Sequence, residues 1–158
     1  MRVFWVLALI ALLPSAAFAD DKPDQRWGLT VWGLSYHVNK SIDYAGNNWG
    51  LGLRYYAVRR HLFLEGDALR NSNRGLVVPV SVGAEFGVGH ISACRLAGIA
   101  AFTAAYYENP RKELTEVKFG PVPGVSVGCG RIKTNILTVL SKSERPVAAI
   151  AASLTILF

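Results

Sequence analysis

Three stretches of this chain, Leu96–Tyr107, Phe119–Gly130 and Pro146–Phe158, run for twelve or thirteen residues without a charged side chain. A helix needs about 20 apolar residues to cross a bilayer, whereas a tilted strand needs only about 9–11. Their content of Val, Ile, Thr, Tyr, Phe and Gly favours strand over helix, and Pro79, Pro121 and Pro123 would interrupt helices placed over them. Long apolar segments that cannot be spanning helices restrict the chain to a β architecture with much to bury.

The start of the chain reads as a targeting segment. Met1-Arg2 is followed by an apolar run from Val3 to Leu13 and by the small-x-small pattern Ala17-Phe18-Ala19, so residues 1–19 are expected to be a secretory signal peptide and the mature chain to begin at Asp20. Residues 20–158 then divide into eight strand candidates, at 27–38, 47–58, 61–70, 76–87, 92–107, 118–129, 131–141 and 146–158. The breaks alternate in length. Asn39–Gly46, Asn71–Gly75, Glu108–Val117 and Lys142–Arg145 are long and polar, whereas Arg59-Arg60, Val88–Ile91 and Gly130 are short. Near the C-terminus, Ile150, Ala152, Leu154, Ile156 and Phe158 share one face by the period of two, and the chain stops on an aromatic residue.

These features predict an all-β fold, an eight-stranded antiparallel up-and-down barrel in the bacterial outer membrane. A soluble barrel of the same strand count is the alternative. Trp27, Trp32, Trp49, Tyr55, Tyr56, Tyr106 and Tyr107 include candidates for the girdles at the lipid boundary.

Composition narrows the function. The 158 residues carry 17 Lys+Arg against 11 Asp+Glu, but the basic residues occur singly or in pairs, which argues against nucleic acid as a partner. The two cysteines have no metal-ligand spacing, and no metal or other cofactor is expected. Cys94 begins the fifth strand and Cys129 ends the sixth, so an oxidising compartment permits a disulfide if the register brings them together. Several strands lack charge on either face, which predicts an apolar bore, either partly hollow and suited to an acyl chain or filled by aromatic side chains. Lys40, Arg70, Arg74, Arg111, Lys112, Lys142 and Arg145 lie in or beside the outer loops, where they could meet lipopolysaccharide phosphates.

Three segments carry a resemblance. Trp27–His37 (WGLTVWGLSYH) is an apolar strand ending in aromatic-His, Ala68–Gly83 (ALRNSNRGLVVPVSVG) sets a serine eleven residues before a glycine, and Gly120–Gly130 (GPVPGVSVGCG) is a proline-containing strand. In these segments the chain resembles the lipid A palmitoyltransferase (PagP) family of outer-membrane barrels. The resemblance implies a monomeric barrel, inserted by the barrel-assembly machinery, that moves a palmitoyl chain from a phospholipid onto lipid A. It places the family's essential His on His37 and its Ser on Ser72. The family's Asp position falls on Asn71, and the glycine flooring its acyl-measuring pocket falls on Gly83.

The chemistry this implies is acyl transfer, with His37 as general base and Ser72 as nucleophile or hydroxyl orienter. Asn71 or backbone N–H groups would stabilise the oxyanion, and Asp43 and Asp67 are candidate replacement acids. Two other readings remain open on sequence grounds: an acyl hydrolase that gives the chain to water, and a non-catalytic lipid-binding or structural barrel.

Overall fold

A computed structural model of the chain describes residues 26–37, 46–57, 61–110, 113–140 and 148–158. The expected signal peptide lies outside the described residues, as do Lys40, Asp43, Arg111, Lys112, Lys142 and Arg145. The described residues form eight strands: β1 (Trp27–His37), β2 (Asn47–Ala57), β3 (Leu62–Arg70), β4 (Leu76–Ile91), β5 (Cys94–Asn109), β6 (Leu114–Cys129), β7 (Ile132–Leu140) and β8 (Ala148–Leu157). Each pairs antiparallel with its sequence neighbours, and β1 closes on β8, so the sheet is a complete barrel.

Connections alternate between the two ends, as expected. Residues 38–46, 71–75, 110–113 and 141–147 join strands at what we call the loop end, and 58–61, 92–93 and 130–131 join them at the turn end. The central hairpins are longer than the polar pattern suggests. Glu108, Tyr107 and Tyr106 pair with Thr115, Glu116 and Val117, which reduces the expected break at 108–117 to four residues. Likewise β4 runs on through Val88–Ile91 to a two-residue turn at Ser92-Ala93, because Gly89 and His90 still pair with Leu96 and Arg95. Gly130, at φ 63°, supports the equally short turn between β6 and β7.

The wall has two distinct faces. Leu29, Val31, Leu51, Leu53, Leu64, Val80, Val82, Phe102, Phe119, Ile136, Leu154 and Ile156 point outward and are exposed. Among the described strand residues, no charged side chain stands at an outward position between Arg70 and Glu108 near the loop end and the turn end of the wall. The expected outward face of β8 is present: Ile150, Leu154, Ile156 and Phe158 are all exposed.

The inner face overturns the expected apolar bore. Arg54, Glu65, Glu85 and Lys133 all point inward and are buried. Arg54 meets Glu65 at 2.7 Å and Glu85 at 3.0 Å, and Lys133 meets the other oxygen of Glu85 at 2.7 Å. Tyr56 donates its hydroxyl to Glu85 at 2.8 Å, and Thr30 donates to Glu65 at 2.7 Å. Asn135 donates to Thr155 and Ser153 across the β7–β8 seam. Phe63 packs beneath the Arg54 guanidinium at 4.4 Å, within an apolar cluster of Tyr56, Ile99, Leu137 and Leu157.

The failed expectation has a physical origin. Strands free of charge suggest an apolar lumen, but closing a barrel brings single inward charges from β2, β3, β4 and β7 to one level. Two cations and two carboxylates there satisfy one another, which is the condition for burying charge at all.

Candidate active site

His37 reaches the bore only because β1 is irregular. Gly28, Thr30 and Trp32 point inward, and a regular strand would continue with residue 34 and leave His37 outside with Trp27, Leu29 and Val31. The register slips between Trp32 and Leu34 against both β2 and β8, with Gly33 at the irregularity. Beyond it the alternation is reversed. Leu34 and Tyr36 are exposed, at 69% and 55%, while Ser35 and His37 turn inward. A bulge that re-aims a side chain at the barrel rim is a recurrent use of such irregularities.

Ser72 arrives from the turn that follows β3. Its Oγ lies 2.5 Å from His37 Nε2, and the residue is buried. Asn48, on the inward face of β2, donates from Nδ2 to Ser72 Oγ at 3.0 Å and to Ser35 Oγ at 2.6 Å. Two serines, an amide and an imidazole from β1, β2 and the turn after β3 therefore converge at the loop end of the bore.

Asn71 does not belong to this group. Its Oδ1 accepts from the backbone N–H of Asn73 at 2.9 Å and of Gly75 at 3.0 Å. Its Nδ2 donates to the Glu108 carbonyl at 2.6 Å and the Leu76 carbonyl at 3.3 Å. The carboxamide is thus committed to the main chain of its own turn and of β5, whereas the resemblance gave it an oxyanion to stabilise. Its contribution is to lock the turn that presents Ser72.

Gly83 also differs from expectation. It points inward, but a Cβ there would lie 2.5 Å from Phe63 Cζ and 2.8 Å from the Ala101 Cβ. The ring of Phe63 occupies the volume that a pocket floor would leave open. Asp67 lies deeper than His37 and accepts from the Trp32 indole at 2.9 Å, so it closes the bore beneath the site. Asp43 is outside the described residues. Cys94 and Cys129 form a disulfide at the turn end, far from His37, with their Cα atoms 4.4 Å apart.

Above the indole the bore is less filled. The inward residues Ala97, Ile99 and Ser126 are buried, whereas Ala101, Thr103, Ala105, Gly120 and Val122 nearer the loop end remain partly accessible. These small side chains form the inner face of the β5–β6 wall near the loop end, where Ala101 and Val122 pack against the apolar cluster. Beside this face, among the described residues, β6 and β7 pair only from Gly124 with Leu137 to Cys129 with Ile132. Pro121 and Pro123 lie in the unpaired stretch and have no N–H to offer β7. A further polar group stands at the mouth, where Asn73 donates to the Tyr107 hydroxyl at 2.7 Å and Lys118 lies 4.2 Å from the Tyr107 ring.

Chemically, an imidazole against a buried hydroxyl is a base–nucleophile pair. Among the described residues no three of His, Cys, Asp and Glu gather as a metal site. Sequence reasoning finds His37 and Ser72 and misses Asn48, which sits in a segment that looks like a turn. Counting back by twos from the inward Arg54 through Gly52 and Gly50 would have put Asn48 on the bore side. No protein-family model matches this chain, and no curated protein does.

Proposed function

We propose that this protein is an outer-membrane enzyme acting on lipid A, transferring a palmitoyl-type acyl chain to it from a phospholipid. The observation that carries the reading is the 2.5 Å approach of Ser72 Oγ to His37 Nε2 at the loop end of the barrel. In the reaction, His37 Nε2 takes the Ser72 proton as Oγ attacks the donor ester carbonyl. The leaving lysophospholipid alkoxide then collects that proton from His37. A lipid A hydroxyl then gives its proton to the same nitrogen and attacks the acyl-serine; the acyl–Oγ bond breaks, and Ser72 Oγ leaves by taking that proton back from His37.

The outer wall supports a lipid setting. Its apolar surface is uncharged between the rims, and aromatic residues stand at both levels: Trp27, Phe86 and Phe158 towards the turn end, Tyr36, Trp49 and Tyr106 towards the loop end. Ten residues of strand from Trp27 to Tyr36 extend about 30 Å, and a strand tilt near 40° makes the band roughly 23 Å tall, close to the apolar height of outer-membrane barrels. The stretch of β6 before Gly124 that has no described β7 pair would offer an acyl chain a sideways route from lipid.

A second reading is favoured by Phe63. The Phe63 ring fills the volume beside Gly83, where the floor of an acyl well was expected. An acyl hydrolase, which passes the acyl-serine to water, needs less accommodation. Purified full-length protein in vesicles of palmitoyl phospholipid and lipid A separates the two: mass spectrometry reads lipid A with one acyl chain gained for transfer, and free fatty acid with a donor lipid one chain lighter for hydrolysis. His37→Ala and Ser72→Ala are each expected to lower the rate about 10²–10⁴-fold, the usual contribution of a general base. Undiminished turnover in both variants would remove the proposal.

A further inference from the structure

We propose that Asn48 is a positioning residue that sets the direction of the His37–Ser72 hydrogen bond, holding the Ser72 proton towards His37 and the imidazole in its Nδ1–H form. The proposal rests on the reading of Ser72 and His37 as the working pair, and extends it to a residue outside the resemblance.

In the described hydrogen bonds, Asn48 meets Ser72 through its amide nitrogen. Its Nδ2 donates to Ser35 Oγ at 2.6 Å and to Ser72 Oγ at 3.0 Å, and an amide nitrogen has two hydrogens and no acceptor capacity. Ser72 Oγ therefore receives a hydrogen bond from the β2 side. A hydroxyl that accepts one hydrogen bond donates the next more strongly, because successive dipoles polarise one another. At 2.5 Å the His37 Nε2 is the acceptor placed to benefit. An Nε2 that accepts is unprotonated, so the ring proton of neutral His37 resides on Nδ1.

Ser35 completes the device. It holds the second Asn48 hydrogen, and it faces the bore for the same reason His37 does, the register slip at Gly33. One irregularity in β1 thus places both the base and the residue that anchors its orienting amide. When Ser72 gives up its proton, the Asn48 N–H also stays bonded to the oxygen on which charge develops.

The test reads the tautomer directly and does not require turnover. The full chain, ¹⁵N-labelled at histidine, is studied in detergent micelles at a pH where His37 is neutral, and His37 is assigned by the signals lost in His37→Gln. The wild-type protein is expected to show Nδ1 protonated and Nε2 unprotonated. Asn48→Asp replaces the donor by an acceptor of the same shape, and should shift the tautomer ratio about tenfold towards Nε2–H, the worth of one hydrogen bond. Asn48→Ala should shift it less, in the same direction. A wild-type His37 protonated on Nε2 overturns the proposal whether or not a variant folds, and so does an Asn48→Asp protein with an unchanged ratio. A tautomer that responds in this way in a protein without acyl transfer would instead defeat the functional reading and leave the role of Asn48 standing.

Discussion

The two halves of the bore are built on different plans. At the turn end, contacts cross the barrel: Arg54 on β2 reaches Glu85 on β4, Lys133 on β7 reaches the same carboxylate, and Thr30 on β1 reaches Glu65 on β3. At the loop end, the His37, Ser35, Asn48 and Ser72 side chains come from β1, β2 and the turn after β3, and they occupy one side of the mouth. The facing β5–β6 wall is lined by small residues that remain partly accessible. The Trp32–Asp67 hydrogen bond, at 2.9 Å, marks the boundary. The difference teaches where the work of the molecule can be done. The crossed half ties β1, β2, β3, β4 and β7 together through the bore, whereas the one-sided half leaves small, partly accessible residues opposite His37 and Ser72, where the proposed acyl chemistry would meet its substrate. That site in turn depends on the lower half for a rigid frame, which is what a precisely spaced pair of polar groups requires.

The comparison is broken most severely at Glu85, which binds both buried cations. In Glu85→Ala, Arg54 and Lys133 remain in the bore without their shared partner, and removing one member of a buried ionic group costs about 3–5 kcal/mol. The expected result is a lower urea midpoint for the barrel in micelles, whereas His37→Ala, at the half-exposed mouth, should leave the midpoint nearly unchanged. Equal stability losses for the two variants would show that the halves do not differ in this way.

How much of this was legible in the sequence divides along the same line. The strand count, the long and short connections and the outward face of β8 could be read because each depends on local pattern: uncharged length, turn residues and the period of two. The ionic plug could not be read one strand at a time. Arg54, Glu85 and Lys133 each look like an isolated charge in an apolar strand, Glu65 stands two residues from Asp67, and only barrel closure puts the four at one level. At the mouth, His37 and Ser72 were legible through the aromatic-His and Asn-Ser segments. Their meeting depends on the slip at Gly33, which no periodicity announces. Asn71 misleads because its sequence position suggests a triad acid, while an asparagine that begins a turn is as well suited to bonding its own backbone, and that is what it does.

A second, smaller difference between the halves is covalent. Cys94 and Cys129 are bonded at the turn end across a sequence separation of 35. Such a loop closure contributes about 2–4 kcal/mol in the chain-entropy account. Reductant, or Cys94→Ala combined with Cys129→Ala, should lower the unfolding midpoint by that order while leaving acyl turnover near the wild-type rate at a temperature where the barrel is folded. Loss of turnover in a folded, reduced protein would mean that the mouth is tied to the turn end more closely than the crossed contacts imply.

The smallest expected effect belongs to Asn71, and it sharpens the comparison because the two views of this residue differ in sign. If position 71 were the acid of a triad, Asn71→Asp would restore a charge beside His37 and raise the rate. The geometry predicts otherwise. An aspartate keeps the acceptor used by the Asn73 and Gly75 N–H groups but has no donor for the Glu108 and Leu76 carbonyls, and it brings its charge against both oxygens. Leaving such groups unsatisfied costs about 1–3 kcal/mol. The turn that carries Ser72 should loosen, so turnover falls modestly as the midpoint falls, and no pH restores it to the wild-type value. Paired rate and urea measurements on Asn71→Asp decide the matter: a tenfold gain in rate would place residue 71 in the catalytic group after all, while a parallel loss of both assigns it to the frame that holds Ser72 against His37.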